Sequence, residues 1–262
     1  MKVYISADLE GIGGILTKEQ TEKGNPEYSE ACRLLSMEVF SLVDGLADAG
    51  VEEVAVYDAH GSGMNILYDL MHPKARYLMG YAHPEVRFPF LDNTFDFMIL
   101  QGYHAMAGTE KAILDHTYSS RHIHNLYVNG KRAGEIYIDA LVASESGVPV
   151  AMVTGDDKTV KEALDVMPWV ETYETKKAVA RHCALIKPPA VVREELKGMA
   201  GSLTHRKDTF KLLEIPPGIE IRQEAVFAGD MDRLLFNRDD VVKMDGRTVL
   251  KTGSKVWDTL MK

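Results

Sequence analysis

The chain is poor in cysteine: two occur among 262 residues, Cys32 and Cys183. Two isolated cysteines cannot form a disulfide framework, and neither lies in a metal-ligand spacing, so both are predicted to be small buried hydrophobic residues. No apolar run approaches the roughly 20 residues of a membrane span. The apolar start of the chain is interrupted at Asp8, too early for a signal peptide. These absences predict a protein of the reducing cytoplasm.

Basic residues are also in deficit, with 30 Lys and Arg against 39 Asp and Glu and a net charge of -9. Nucleic acids and anionic membranes bind basic surfaces, so neither is an expected partner. Hydrophobic residues make up 45% of the chain. This share is typical of a globular protein with one large domain or two small ones.

Strand and helix patterns alternate from the N-terminus. Residues 3–5 form a short apolar run, apolar residues recur at helical spacing between 27 and 49, and residues 54–57 form a second apolar run. This β-α-β order implies a right-handed crossover and parallel strands. With further strand-like runs at 97–100 and 148–153, the sequence predicts an α/β fold with a mainly parallel sheet flanked by helices.

Acidic and histidine side chains follow the ends of three of these strands: Asp8 and Glu10 the first, His60 the second and His104 the third. The carboxyl ends of parallel strands share one edge of a sheet, where ligands bind in α/β proteins. Asp8 and Glu10 project to the same side and repel each other unless a cation lies between them. A helix cap or a solvated loop explains one acidic pair equally well, and a lone histidine is more often a surface residue. The coincidence at three strands favours a metal site.

Glu135 and His116 are two further candidates. Asn129-Gly130 predicts a hairpin turn, whose return strand leads to Glu135 at the start of a helix over 136–146. Glu135 could interact there with the helix dipole or face a metal, and the sequence favours neither. His116 is either a loop histidine bonded to the backbone or a proton carrier or nucleophile beside the metal.

The candidate ligands comprise three carboxylates and two imidazoles: Asp8, Glu10, His60, His104 and Glu135. This mixed nitrogen and oxygen set suits zinc, and also manganese or cobalt, and it is unlike a structural zinc site built from thiolates. Five ligands exceed the usual set of one catalytic zinc but suffice for two metals if Asp8 bridges them. Two cations would polarise a carbonyl, activate a shared water and hold a substrate amine.

The chain divides into two predicted parts. Residues 1–165 form the metal-binding α/β catalytic core, near whose end Asp156-Asp157 is expected to begin a helix, with metal binding as the less favoured alternative. Residues 166–262 form a smaller α+β lobe that shapes the substrate pocket and the oligomer contacts. In this lobe we predict strands at 170–173 and 219–226, helices at 191–200 and 231–237, and a hairpin turn at Asp245-Gly246.

An ordered set of motifs resembles the M55 family of metallopeptidases. The segment Ser6-Ala7-Asp8-Leu9-Glu10-Gly11 matches the S-x-D-x-E-G signature of that family. The matches continue in order through roughly residue 165, at Asp58-Ala59-His60, Gly102-Tyr103-His104-Ala105, Asp115-His116, Asn129-Gly130, Gly134-Glu135 and Val153-Thr154-Gly155-Asp156-Asp157.

The resemblance implies a dinuclear zinc site, two ions per subunit, in which Asp8 matches the bridging aspartate and Glu10, His60, His104 and Glu135 complete the ligand set. His116 matches the residue proposed as the catalytic nucleophile of the family. The implied activity is that of an aminopeptidase that releases N-terminal residues, D-amino acids above all, from short peptides. The implied assembly is a homodecamer of two stacked pentamers.

Three other functions are compatible with the same residues. The first is an aminopeptidase for L-peptides, which would use the same chemistry. The second is a two-metal phosphoesterase, although its common Gly-Asn-His motif is missing from the sequence. The third is a module that binds metal or peptide without catalysis.

Overall fold

The structure, a computed structural model, describes residues 1–81, 84–233 and 240–262. The strands in this part of the chain are β1 (Lys2–Ala7), β2 (Glu53–Asp58), β3 (Ala75–Leu78), β4 (Phe97–Gln101), β5 (Ile123–Val128), β6 (Lys131–Ala133), β7 (Val150–Asp156), β8 (Glu171–Ala180), β9 (Cys183–Ile186), β10 (Ile219–Ala225), β11 (Val241–Lys243) and β12 (Thr248–Gly253). The α-helices are α1 (Tyr28–Asp48), α2 (Glu135–Glu145), α3 (Asp157–Val166), α4 (Pro189–Leu203), α5 (Ala228–Arg233) and α6 (Val256–Leu260). Short 3₁₀ helices cover Lys18–Gln20, Tyr68–Leu70 and Thr204–Thr209.

The strands form two sheets. Sheet A has the order β3-β2-β1-β4-β7-β8-β9 and is parallel except for its last pair, β8 and β9. Sheet B has the order β11-β12-β10-β5-β6 and is antiparallel. The predicted α/β fold with a mainly parallel sheet flanked by helices is confirmed.

Strand β1, in the interior of sheet A, is buried on both faces, as its uninterrupted apolar run predicts. Val3 and Ile5 belong to the core under α1 and α4, whereas Tyr4 belongs to the core on the opposite face. That second core also contains apolar side chains of α2 and of strands β5 and β10. Sheet A is thus covered by two helices on one face and by α2 with sheet B on the other.

The pairing register brings three strand ends to one edge of sheet A. Ala7 at the end of β1 is paired with Asp58 of β2 and with Gln101 of β4. The chain then leaves the sheet at Asp8, and the amide of Asp8 donates to the carbonyl of Gln101 at 2.8 Å. The segments that carry the predicted ligands therefore begin side by side.

The predicted hairpin at Asn129-Gly130 is confirmed and determines where α2 begins. Both residues have positive φ, 49° and 80°, as a two-residue turn between antiparallel strands requires. The return strand β6 pairs with β5 and ends at Ala133, and Glu135 is the first residue of α2. Sheet B therefore places a carboxylate at the edge where the parallel strands end.

The C-terminal predictions are largely confirmed, because β8, α4, β10 and the β11–β12 hairpin lie where the sequence places them. The first part of the predicted helix 231–237 is the end of α5, while residues 234–239 lie outside the described residues. Sheet A and sheet B each include strands from both sides of residue 165, and the division into two lobes at that residue stays a prediction.

One burial prediction is wrong. Cys32 is buried in α1, but Cys183 is exposed. Cys183 begins β9, which is the last strand of sheet A and has one side without a partner strand in the described part of the chain. Separately, none of the described helices is both long and apolar enough to traverse a bilayer.

Candidate metal centre

The loop that follows β1 packs tightly against the loop that follows β4. The amide of Gly11 donates to the carbonyl of Gly102 at 2.7 Å. A Cβ atom on Gly11 would lie 2.0 Å from the carbonyl oxygen of Tyr103, and one on Gly102 would lie 2.2 Å from that of Asp8. Glycine at both positions therefore allows the Asp8–Glu10 segment to approach the segment of His104.

Lys176 of β8 stabilises the loop that follows β1 through hydrogen bonds to its backbone. Its buried ammonium donates to the carbonyls of Glu10 (2.6 Å), Ile12 (2.8 Å) and Ile15 (2.5 Å). Burial lowers the pKa of Lys176 to about 8, although nearby carboxylates oppose that shift. The three hydrogen bonds fix the backbone that carries Glu10.

Replacing Lys176 by methionine is expected to destabilise the protein and weaken metal binding together. Methionine has a similar length but no donor, so three buried carbonyls lose their partner, and each such loss costs about 1–3 kcal/mol. Chemical denaturation measures the free energy of unfolding, and a zinc titration measures affinity. Lys177→Met is the matched control, because Lys177 is exposed on the same strand. Unchanged zinc affinity in Lys176→Met would contradict the positioning role.

His60 reaches the centre from the end of β2. Its Nδ1 lies 2.9 Å from Asp8 Oδ1 and 3.1 Å from Glu10 Oε2. The turn that presents it is held by Asp58, whose carboxylate accepts hydrogen bonds from the amides of Asn65 and Ile66 at 2.6 and 2.9 Å. The structure thus brings His60 together with the acidic pair at the predicted edge of the sheet.

His104 and Glu135 approach from the opposite side. His104 Nε2 lies 3.2 Å from Glu135 Oε1 and 3.5 Å from Asp8 Oδ2. The backbone amide of Tyr118 donates to Glu135 Oε1 at 2.6 Å, and Arg87 Nη2 lies 4.0 Å from Glu135 Oε2. Glu135 begins α2, as predicted, and its side chain also faces His104.

His116 lies beside His104 with its ring stacked on it. The ring centroids are 3.8 Å apart and the planes differ by 13°. His116 Nε2 lies 3.9 Å from Glu135 Oε1, and the His116 side chain keeps 18% of its surface exposed, against 1% for His104. His116 is therefore the more accessible of these two imidazoles.

All three histidines place their second ring nitrogen against a backbone carbonyl. The distances are 2.9 Å from His60 Nε2 to Thr21, 3.2 Å from His104 Nδ1 to Ala105 and 2.9 Å from His116 Nδ1 to Leu114. A carbonyl oxygen only accepts hydrogen bonds, so the nitrogen facing it carries the hydrogen. When each ring is neutral, its other nitrogen presents a lone pair to the carboxylates. A cation between them stabilises this arrangement, which is usual for histidine ligands of metals.

The charges of the centre are strongly coupled. Burial alone would raise the pKa of Glu10, but the facing His60, with His116 and His104, holds that pKa well below its usual range. Burial alone would lower the pKa of His104, but Glu135 and the acidic pair raise it to about 10. Imidazolium charge balances the buried carboxylates when no cation is bound. A bound metal ion would supply the same positive charge and leave the rings neutral.

Two atoms in the centre show that the residues fit a metal. Among the described residues, Glu10 Oε2 and His104 Nε2 are buried without a hydrogen-bond partner. Potential ligand atoms of Asp8, Glu10 and His104 lie within 4.8 Å of one another, and so do those of His104, His116 and Glu135. The two groups share His104, and all five predicted ligands together with His116 meet at this point.

Asp156 is a helix cap, as the sequence favours, and not one of the side chains of the metal centre. It caps α3 by accepting hydrogen bonds from the amides of Lys158 and Thr159 at 3.1 and 2.8 Å. Its second oxygen accepts from the amide of Ile113 at 2.7 Å. Asp156 therefore ties the loop that carries His116 to the start of α3.

Two other supporting residues were not identified from the sequence. Glu162 accepts a hydrogen bond from the amide of Met106 at 2.8 Å, next to the segment of His104, and burial raises its pKa to about 7. Arg87 forms a two-point ion pair with Asp139 at 2.8 and 2.7 Å. Neither residue follows a strand end or belongs to a motif, so no local signal marks them.

The centre opens into a polar cavity of about 680 Å³. Glu10, His60 and His116 line this cavity, together with Lys18, Glu22, Arg181 and other polar residues. A volume of about 300–1,000 Å³ is usual for ligand sites. The cavity is therefore large enough to hold a small ligand beside Glu10, His60 and His116.

Comparisons with known proteins point to one family. The sequence model of the family described as Peptidase_M55, D-aminopeptidase, matches residues 1–261. A D-aminopeptidase of Bacillus subtilis (strain 168) is 31% identical over 218 residues, which cover 82% of this chain and 78% of that protein. This chain is also similar to a solved structure described as Zn-dependent D-aminopeptidase DppA from Bacillus subtilis, a self-compartmentalizing protease. The two structures match with a TM-score of 0.92 and 27% sequence identity, over 99% of this chain and 94% of that chain.

Proposed function

Because the chain belongs to the M55 family of D-aminopeptidases, we propose that it removes N-terminal D-amino acids from short peptides at a centre of two zinc ions. The predicted resemblance to this family is confirmed, and with it the prediction of a metallo-aminopeptidase. The solved relative is described as zinc-dependent, which supports zinc here. The number of ions and the preference for D-residues are parts of the proposal.

The observation that carries the proposal is the placement of Asp8 between two sets of side chains. Its Oδ1 faces His60 and its Oδ2 faces His104, at 2.9 and 3.5 Å. A carboxylate whose two oxygens face different imidazoles is suited to bridge two cations. Glu10 with His60 would hold one ion, and His104 with Glu135 would hold the other.

Bound zinc would polarise the scissile carbonyl and lower the pKa of a water molecule. The chain supplies the remaining functions. His116 directs Nε2 toward the centre, because its Nδ1 is bonded to the carbonyl of Leu114, and can take up and return a proton there. The amide of Tyr118 holds Glu135 in place. The polar cavity admits the peptide from one side.

Hydrolysis of paired dipeptides tests the proposal. Zinc-reconstituted protein is expected to cleave D-Ala-D-Ala, to leave L-Ala-L-Ala uncleaved, and to lose activity with a chelator until zinc is restored. Elemental analysis should find two zinc ions per chain. Cleavage of the L-peptide alone would keep the chemistry and contradict the D-preference.

The same preparation separates the remaining alternatives. Zinc binding with hydrolysis of a phosphate ester but of no peptide would favour a phosphoesterase. Zinc binding with no turnover of either would favour a binding module.

We also propose a homodecamer located in the cytoplasm, with residues 166–262 contributing to the substrate pocket and to subunit contacts. The description of the solved relative as self-compartmentalizing supports a closed assembly. Light scattering should give a mass near ten times that of the 29.2 kDa chain. A monomer in solution would contradict the assembly and leave the chemistry of the centre unchanged.

A further inference from the structure

A second cavity, of about 640 Å³, lies next to the metal centre. Gly61, the residue after His60, lines both this cavity and the polar one. Tyr118 lines the second cavity and also donates its amide to Glu135 at 2.6 Å. Arg87 lines it as well and lies 4.0 Å from Glu135 Oε2. The cavity therefore begins at residues that contact the metal centre.

The wall of this cavity is largely aromatic and aliphatic. Its apolar side chains include Tyr57, Tyr81, Tyr118, Trp257, Met231 and Leu260. The rings of Tyr118 and Trp257 meet edge to face, with centroids 5.5 Å apart. We call this space the aromatic cavity.

Most charged groups in the wall of the aromatic cavity already have partners, and the exception among the described residues is Asp230, whose Oδ2 is buried without a hydrogen-bond partner. Arg87 is paired with Asp139 at two points, and His122 Nδ1 lies 3.0 Å from Asp230 Oδ1. Lys251 donates to the side chain of Gln223 and to the carbonyl of Leu260, at 3.0 and 2.6 Å. Away from Asp230, these pairs leave the described wall suited to an uncharged, apolar group, since an unpaired charge brought there would lose its hydration.

We propose that the aromatic cavity is the specificity pocket and binds a large apolar or aromatic side chain on a residue next to the scissile bond. The proposal rests on the proposed peptidase function. The polar cavity would take the peptide backbone, and the aromatic cavity would take the side chain. Burial of an aromatic side chain against Tyr118 and Trp257 supplies the binding energy.

Trp257 provides a binding test that does not depend on turnover. The chain has two tryptophans, so Trp257 is the only source of tryptophan fluorescence in the variant Trp169→Phe. The amino alcohol D-phenylalaninol, which has no peptide bond to cleave, is expected to change the emission of zinc-loaded Trp169→Phe, whereas D-alaninol at equal concentration is not. No change with D-phenylalaninol would overturn the proposal, whether or not the protein hydrolyses peptides.

Kinetics on the zinc-loaded enzyme identify which residue of the peptide uses the cavity. One series places D-Ala, D-Leu or D-Phe before D-Ala, and the other places them after it. In one series kcat/KM is expected to rise at least about 10-fold from D-Ala to D-Phe, the scale of discrimination by an apolar pocket. Equal values in both series would overturn the proposal, while cleavage of no peptide would contradict the peptidase function itself.

A matched pair of variants ties the selectivity to this wall. Tyr81 lines the aromatic cavity and is 81% exposed, so Tyr81→Ala should fold normally. It is expected to lower the D-Phe to D-Ala ratio of kcat/KM at least about threefold. Tyr68→Ala is the control, because Tyr68 is 84% exposed and lines neither described cavity. An unchanged ratio in Tyr81→Ala would count against the assignment.

Discussion

Replacing His104 by alanine is expected to lower the bound zinc below two ions per chain and to abolish peptide hydrolysis. His104 is common to both groups of potential ligands, and its Nε2 lies within 3.5 Å of Glu135 and Asp8. Loss of an outer partner of a metal ligand already lowers metal affinity about 10–100-fold, so loss of this ligand should lower it further. Zinc content after dialysis and kcat/KM on D-Ala-D-Ala measure the two effects.

Two comparisons make the His104 experiment decisive. His205→Ala replaces an exposed histidine outside the centre and should retain both zinc and activity. Circular dichroism should find His104→Ala folded, because the imidazole contributes to the centre and belongs to neither apolar core. A folded His104→Ala protein that keeps two zinc ions per chain would refute the assignment of His104 as a ligand.

The sequence is most informative where strands are buried and parallel. The strands β1, β2 and β4 each contain an uninterrupted apolar run, and polar residues follow each run within a few positions, among them Asp8 and His60. One register then brings these ends together. The position of Glu135 is predictable for a related reason. Asn129-Gly130 marks the hairpin turn, and the return strand β6 has only three residues, so Glu135 follows close after its end.

Long-range contacts account for what the sequence does not predict. Lys176 supports the loop of Glu10 from 166 residues away, and nothing near residue 176 indicates which carbonyls it meets. Sheet B pairs β5 with β10, a pairing that local periodicity does not specify. Cys183 has the apolar neighbours of a core residue and nevertheless lies on an edge strand.

The conformation of the loop around His116 is a further feature without a local signal. Leu114 and Tyr118 have positive φ, 54° in each case, although neither is glycine, and such conformations are unfavourable for large side chains. The same two residues supply the carbonyl that bonds His116 and the amide that bonds Glu135. The strained backbone thus orients two groups of the centre.

Replacing His116 by alanine is expected to lower kcat strongly while zinc remains bound. The five other candidate ligands stay in place in this variant, so the metal content should persist. Loss of a proton carrier typically costs about 10²–10⁴-fold in rate. The KM should change little, because the other residues that line the polar cavity remain in the variant. Zinc analysis and steady-state kinetics on D-Ala-D-Ala measure the two quantities separately.

The outcome for His116 also separates its possible roles. Loss of zinc in His116→Ala would make it a ligand, as its grouping with His104 and Glu135 permits. If zinc is retained and the burst of product seen in rapid mixing of the parent enzyme is lost, His116 is a nucleophile that forms a covalent intermediate. If the parent enzyme shows no burst and the variant loses one limb of the pH–rate profile, His116 is a general base. His124→Ala, at an exposed position of β5, is the matched control and should behave as the parent. Full activity in His116→Ala would exclude every catalytic role for this residue, and the stacking of the two rings would then serve only to hold His104.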